Sequence, residues 1–136
     1  MRVLALGLIK QGDRVFLSQG CDRSTGKTFY RALGGGVDWG ETSLDALKRE
    51  FKEEIAADLT NIEYLVCIEN IFSFNEQPYH EIIQLYRCDF LDPQFYQREQ
   101  IEFYEKKRQK IALWVDVNQC LSGELLVVPQ EFLKYL

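Results

Sequence analysis

Glu50, Glu53 and Glu54 stand at i, i+3 and i+4. On a helix this spacing puts three carboxylates on one face, spanning about 100°. Like charges held that close repel, so the arrangement costs stability unless a cation offsets it. Hard oxygen donors on a rigid element suit Mg²⁺ or Mn²⁺, ions that keep several waters and bind substrate phosphates. A solvated helix face with Lys48, Arg49 and Lys52 as partners has the same pattern. The triplet alone does not separate the two. Just upstream, Gly34-Gly35-Gly36 lets backbone approach a ligand closely, as it would also build a plain turn.

Together, Gly35–Ala57 reads GGVDWGETSLDALKREFKEEIAA. This segment resembles the Nudix box, G-x5-E-x7-R-E-U-x-E-E-x-G-U, where U is a bulky apolar residue. Gly35 and Glu41 take the first two fixed positions, Arg49-Glu50 follow at the right distance, Phe51 fills the apolar slot, and Glu53-Glu54 complete the pair. Two residues depart from the pattern. Ala56 replaces the usual glycine, so the helix either continues or ends in a left-handed alanine at a cost of about 1–2 kcal/mol. Leu33 stands where many members carry proline before the glycines.

The resemblance implies a metal-dependent hydrolase that cleaves the diphosphate linkage of a nucleoside diphosphate derivative. ADP-ribose, a nucleotide sugar, a dinucleoside polyphosphate and a modified (d)NTP all remain open as substrates. Carried over by position, Glu50, Glu53 and Glu54 would bind Mg²⁺ or Mn²⁺ through carboxylates, with the Gly34 carbonyl as a further ligand. Arg49 would pair with Glu41 and hold the metal-binding face in place. Glu53 is the leading general base, and Glu81, Glu99, Glu102 and Glu105 are the alternatives outside the box. For substrate contacts the expectation falls on Arg31, Trp39 and Phe74, with Phe72, Tyr79, His80, Arg23 and Lys27 also within the candidate set. The rival reading is a Nudix-fold module that senses nucleotides without hydrolysing them. A homodimer is permitted by the resemblance.

The surrounding pattern must position these residues. Thr42–Ala57 is the clearest helix. Thr42 and Asp45 form a capping pair, and Leu44, Leu47, Phe51 and Ile55 form an apolar stripe about 80° wide. Val3–Lys10 and Arg14–Ser18 read as a hairpin around Gln11-Gly12-Asp13. Gln19–Thr28 reads as a loop, Phe29–Leu33 as a strand, and the glycines as the opening of a loop that ends at Gly40. Strands follow at Asn61–Phe74 and Glu81–Leu91, then a hairpin of Ile101–Glu105 and Lys110–Val117. Pro129 fits the first turn of a C-terminal helix. The expected fold is α/β (α+β), a Nudix-type α/β/α sandwich with one mixed sheet, a central catalytic helix and a terminal helix, forming one domain over 1–136.

Composition narrows the partners. The chain has 136 residues and a formal charge of −5, and residues 38–58 alone carry −4. An acidic chain argues against a general nucleic-acid binder and against docking on an anionic membrane. The only basic cluster, Lys106-Lys107-Arg108 with Lys110, reads as a charged hairpin turn. Four cysteines lie far apart, so a zinc site is not expected. Cys67, Cys88 and Trp114 are expected in the core. Free thiols and an apolar start of only nine residues predict a cytoplasmic protein with a buried first strand.

Overall fold

The computed structural model describes residues 1–136. Nine strands form two sheets. They are β1 (Arg2–Leu8), β2 (Lys10–Gln11), β3 (Arg14–Asp22), β4 (Lys27–Arg31), β5 (Leu33–Gly36), β6 (Leu59–Phe74), β7 (Gln77–Phe90), β8 (Gln100–Glu105) and β9 (Arg108–Asp116). The helices are α1 (Ser43–Ile55) and the short α2 (Val117–Leu121). The first sheet runs β5-β1-β7-β6 and is mixed, because β1 lies parallel to β7. The second runs β2-β3-β9-β8, with β4 also paired to β3, and is antiparallel throughout.

Alternation along β1 shows how the layers close. Leu4, Leu6 and Leu8 point to one side, where they pack with Val15, Leu17, Ile83 and Leu85 beneath Val117, Cys120 and Phe132. Ala5 and Ile9 point to the other, where Phe16, Phe90 and Trp114 meet Leu47, Phe51 and Ile55 of α1. Helical elements therefore cover both sides of the paired sheets, the α/β/α arrangement expected. No helix is long and apolar enough to cross a membrane.

Several local expectations change. There are two sheets rather than one, because the chain leaves β4 and re-enters the other sheet as β5 within two residues. The glycine run belongs to strand β5, paired antiparallel to β1 with Gly34 opposite Leu6. The polar stretch 19–28 is mostly strand; β3 runs to Asp22 and β4 begins at Lys27. Cys67 is exposed on β6, which has a neighbour on one side only, and Leu44 is left 37% exposed at the start of α1. The terminal helix is a 3-10 segment, Gln130–Tyr135. Trp114 and Cys88 are buried as expected.

At its N-terminus α1 is capped as the sequence predicts, with Thr42 Oγ1 accepting from the Asp45 N–H at 3.1 Å. At the other end the helix stops at Ala56, whose φ of 56° is left-handed. The Ala56 N–H donates to the Lys52 carbonyl and the Ala57 N–H to the Phe51 carbonyl, closing the helix end. Ala56 is exposed, so glycine there would lose little packing. Relief of about 1–2 kcal/mol of left-handed strain exceeds the roughly 0.4–1 kcal/mol of added unfolded-chain entropy. Ala56→Gly should therefore raise stability by roughly 0.5–1 kcal/mol. A lowered melting temperature for this variant would contradict that account.

Candidate active site

Arg49, midway along α1, organises the site. Its Nε and Nη2 donate to the two carboxylate oxygens of Glu41 at 2.8 and 2.9 Å, a bidentate fork. Nη2 also donates to the Gly36 carbonyl at 2.9 Å. Nη1 donates to Glu50 Oε1 at 2.9 Å and to Glu53 Oε2 at 3.2 Å. Glu41 in turn accepts from the Asp38 N–H at 3.0 Å. One guanidinium thus ties the loop after β5, β5 itself and the helix together. The fork holds the Glu41 carboxyl far below the usual range, at about 2.

Gly34 lets β5 lie close against β1, and Gly35 lets the helix approach the sheet. Gly34 has φ +140°, and a Cβ there would lie 2.0 Å from the Ala5 carbonyl oxygen. A Cβ on Gly35 would lie 2.4 Å from the Glu50 carboxyl carbon. The Glu50 carboxylate therefore rests directly on the backbone of β5, at a distance no other residue type allows.

Burial distinguishes the three glutamates. With about 100° per residue, and Ala46 set at zero, the buried residues Ala46, Leu47, Phe51 and Ile55 span about 180°. On that scale Glu50 and Glu54 fall inside the arc, at about 40° and 80°, and Glu53 falls just outside it. The structure agrees, since Glu53 is exposed while Glu50 and Glu54 are partly covered. Burial pushes the Glu54 carboxyl up to about 9, and the charges of Glu105 and Glu50 add to the shift. Glu50 is also raised, chiefly by burial, with Arg49 opposing. Glu54 Oε1 is buried without a hydrogen-bond partner.

Glu54 opens into a narrow cleft of about 70 Å³ that Gly34, Gly35, Arg31, Glu105 and Lys110 also line. Of the four alternative glutamates, Glu105 is the one brought to the cluster, with Lys110 Nζ 3.3 Å from its carboxylate. Glu102 is turned away and accepts from Gln109, and Glu99 is exposed. Glu81 is only 3% exposed and is paired with Arg31. Strand parity in the sequence carried a signal for Glu105. It shares a face with Ile101 and Phe103, both buried against the α1 side, and Glu102 does not. Lys110, grouped by sequence with the charged hairpin turn, lies partly buried at this cleft.

The substrate candidates separate in space. Arg31 lines the cleft, but its guanidinium is engaged by Glu81. Phe74 lies at the tip of β6, in a second and larger cavity. Trp39 is fully exposed and lines neither cavity. Tyr79 packs against Phe72 and Phe74, and His80 is exposed on β7.

The donor set fits a hard divalent ion. It offers crowded carboxylates, one unpartnered buried oxygen and a strand backbone made accessible by glycine. In this conformation the carboxylates do not converge on one point. Arg49 Nη1 lies between Glu50 and Glu53 and supplies the local positive charge. A consequence follows for pH. A carboxyl raised in the folded state contributes stability below its unfolded value near 4.5, and loses that contribution as pH rises through about 9. In EDTA the melting temperature should therefore fall between pH 5 and 9. Mg²⁺ should flatten the slope, because a cation favours the ionised form. An unchanged slope in Glu54→Gln would show that another group causes it.

Comparisons with known proteins give the family and the fold. A family model described as NUDIX domain matches residues 1–136. The NAD-capped RNA hydrolase NudC of Pseudomonas putida (strain W619) is 38% identical over 58 residues, 43% of this chain and 20% of that protein. An uncharacterized Nudix hydrolase of Nostoc sp. is 26% identical over 102 residues, 74% of this chain and 59% of that protein. The chain thus spans about a fifth of the length of the NudC protein it matches. Among solved structures, a MutT protein from Bacillus halodurans has a TM-score of 0.67 at 17% identity, covering 96% of this chain and 77% of its own. A MutT NUDIX hydrolase from Burkholderia pseudomallei has a TM-score of 0.62 at 23% identity, covering 86% and 84%. At such identities these structures speak to the fold. With a family match running from residue 1 to residue 136, the chain belongs to the Nudix hydrolase family.

Proposed function

We propose that the chain hydrolyses the diphosphate linkage of a nucleoside diphosphate derivative, with Mg²⁺ or Mn²⁺. The observation that supports this most is Glu54, a carboxylate held near neutrality among other carboxylates, with an unpartnered buried oxygen at a cleft floored by glycine. A purely solvated face would leave such a group exposed. Glu50, Glu53, Glu54 and the Gly34 carbonyl would hold the ion. When bound, the ion would supply charge to offset the diphosphate and acidify the attacking water.

The chain's own residues supply the rest. Glu53, exposed at the edge of the cluster, accepts the proton of the attacking water. Glu105 is the second candidate for that role, with Lys110 holding its carboxylate. Arg49 and Glu41 fix the helix against the loop and β5, so the glutamates keep their positions. Arg31 faces the diphosphate from the cleft wall, oriented by Glu81. The new P–O bond forms to water, and the bridging P–O bond breaks with its electrons on the departing phosphate.

Product release should be followed with Mg²⁺, Mn²⁺ or EDTA. The panel is ADP-ribose, nucleotide sugars, dinucleoside polyphosphates, normal and oxidised (d)NTPs, NAD and NAD-capped RNA. NAD-capped RNA is included because the NudC relatives bear that activity in their name, and NAD because it is the cap alone. Cleavage that EDTA abolishes is the expected result. Nucleotide binding without cleavage anywhere in the panel would replace the hydrolase by a sensing module.

A further inference from the structure

The larger cavity, about 420 Å³, lies beside the glutamate cleft and shares Lys110 with it. Its volume is in the range of small-ligand sites. In a chain of net charge −5, its charged lining is wholly cationic, namely Arg23, Arg108 and Lys110. Lys110 is already paired with Glu105 at the junction, whereas neither Arg23 nor Arg108 has a carboxylate partner. Two guanidiniums without an ion-pair partner on one cavity form a local positive field in a negative protein.

The cavity also has an aromatic wall that is built rather than incidental. Gly20 makes room for Phe29, since a Cβ there would lie 2.5 Å from its ring. Phe74 meets that ring edge-on, with centroids 5.7 Å apart. A clasp between two hairpin tips holds Phe74 in place. Asp22 accepts from the Asn75 N–H at 3.2 Å, and Asn75 Oδ1 accepts from the Arg23 N–H at 2.7 Å. The same clasp therefore seats Phe74 and the backbone of Arg23.

We propose that this cavity binds the part of the substrate remote from the scissile diphosphate, and selects substrates that carry a further phosphate there. The aromatic wall takes a base, and Arg23 and Arg108 take the additional phosphate, to which guanidinium donates in a bidentate fork. The inference relies on the glutamate cleft being the diphosphate end, as proposed above. The further phosphate has two sources, a monoester on a small nucleotide or the first diester of an RNA.

The test is equilibrium binding by calorimetry in Mg²⁺, with AMP, adenosine 3′,5′-bisphosphate and the dinucleotide pApA as probes. At least one doubly phosphorylated probe should bind about tenfold or more tightly than AMP. Preference for the bisphosphate assigns the phosphate to a small nucleotide, and preference for pApA assigns it to RNA. Arg23→Gln with Arg108→Gln should bring all three probes within about threefold of one another. Lys48→Gln with Lys134→Gln removes the same charge from residues outside the cavity, and should keep the preference. Equal binding of all probes to the unmodified chain would overturn the proposal, as would a preference that survives the arginine substitutions. Hydrolysis is read separately. Metal-dependent cleavage without phosphate preference removes this inference alone, and preference without any cleavage removes the hydrolase reading alone.

Discussion

Glu54→Gln should lower turnover by about 100-fold or more, since even loss of an outer-sphere partner commonly costs 10–100-fold. It should also raise the melting temperature of the metal-free protein at pH 8–9. Glutamine has nearly the same shape and is neutral in both states, so it avoids the cost of keeping Glu54 protonated in the fold at a pH where the unfolded chain ionises it. Opposite signs for activity and stability are the mark of a group retained for function. Glu53→Gln should lose about 10²–10⁴-fold as a general base. Being exposed and outside the buried arc, it should leave stability nearly unchanged. Steady-state rates and melts in EDTA test both variants. Near-normal turnover in both would remove these glutamates from the reaction.

Phe51→Ala should cost about 3–5 kcal/mol of folding stability. The ring is fully buried between α1 and both sheets, and meets Phe90 edge-on at 6.3 Å. Truncation leaves a void that rigid strands on both sides cannot fill. Total stability of a domain this size is about 5–15 kcal/mol, so the loss is a large share of it. Urea unfolding at pH 6 in EDTA keeps the metal from obscuring the difference. A negligible change in the midpoint would mean that α1 packs through another face.

The helix and its charged positions were legible because they are local. Period, cap and motif all lie within 23 consecutive residues, and Arg49 pairs with Glu41 as the pattern implies. The sheets were less legible because their pairing is distant. β1 lies parallel to β7, with Arg2 opposite Glu81, and no local signal specifies that partner. Gly34–Gly36 look like loop because glycine disfavours strands. Here the strand needs glycine, since β5 is pressed between the Ala5 carbonyl and the Glu50 carboxylate. An apolar stripe through Leu44 overstates its reach toward the N-terminus and misses Ala46 on its other flank. Including Ala46 widens the buried face over Glu54, which explains why one glutamate of the three is so strongly perturbed.

Arg49 has a consequence for motion. Its donors join three segments, the loop at Glu41, β5 at Gly36 and helix α1. Opening the loop from Asp38 to Glu41 therefore breaks the bidentate Arg49–Glu41 pair. Protection from hydrogen exchange at the Asp38 amide should then exceed that of free loops. The Asp38–Glu41 loop would then share in the stability of the core beneath α1.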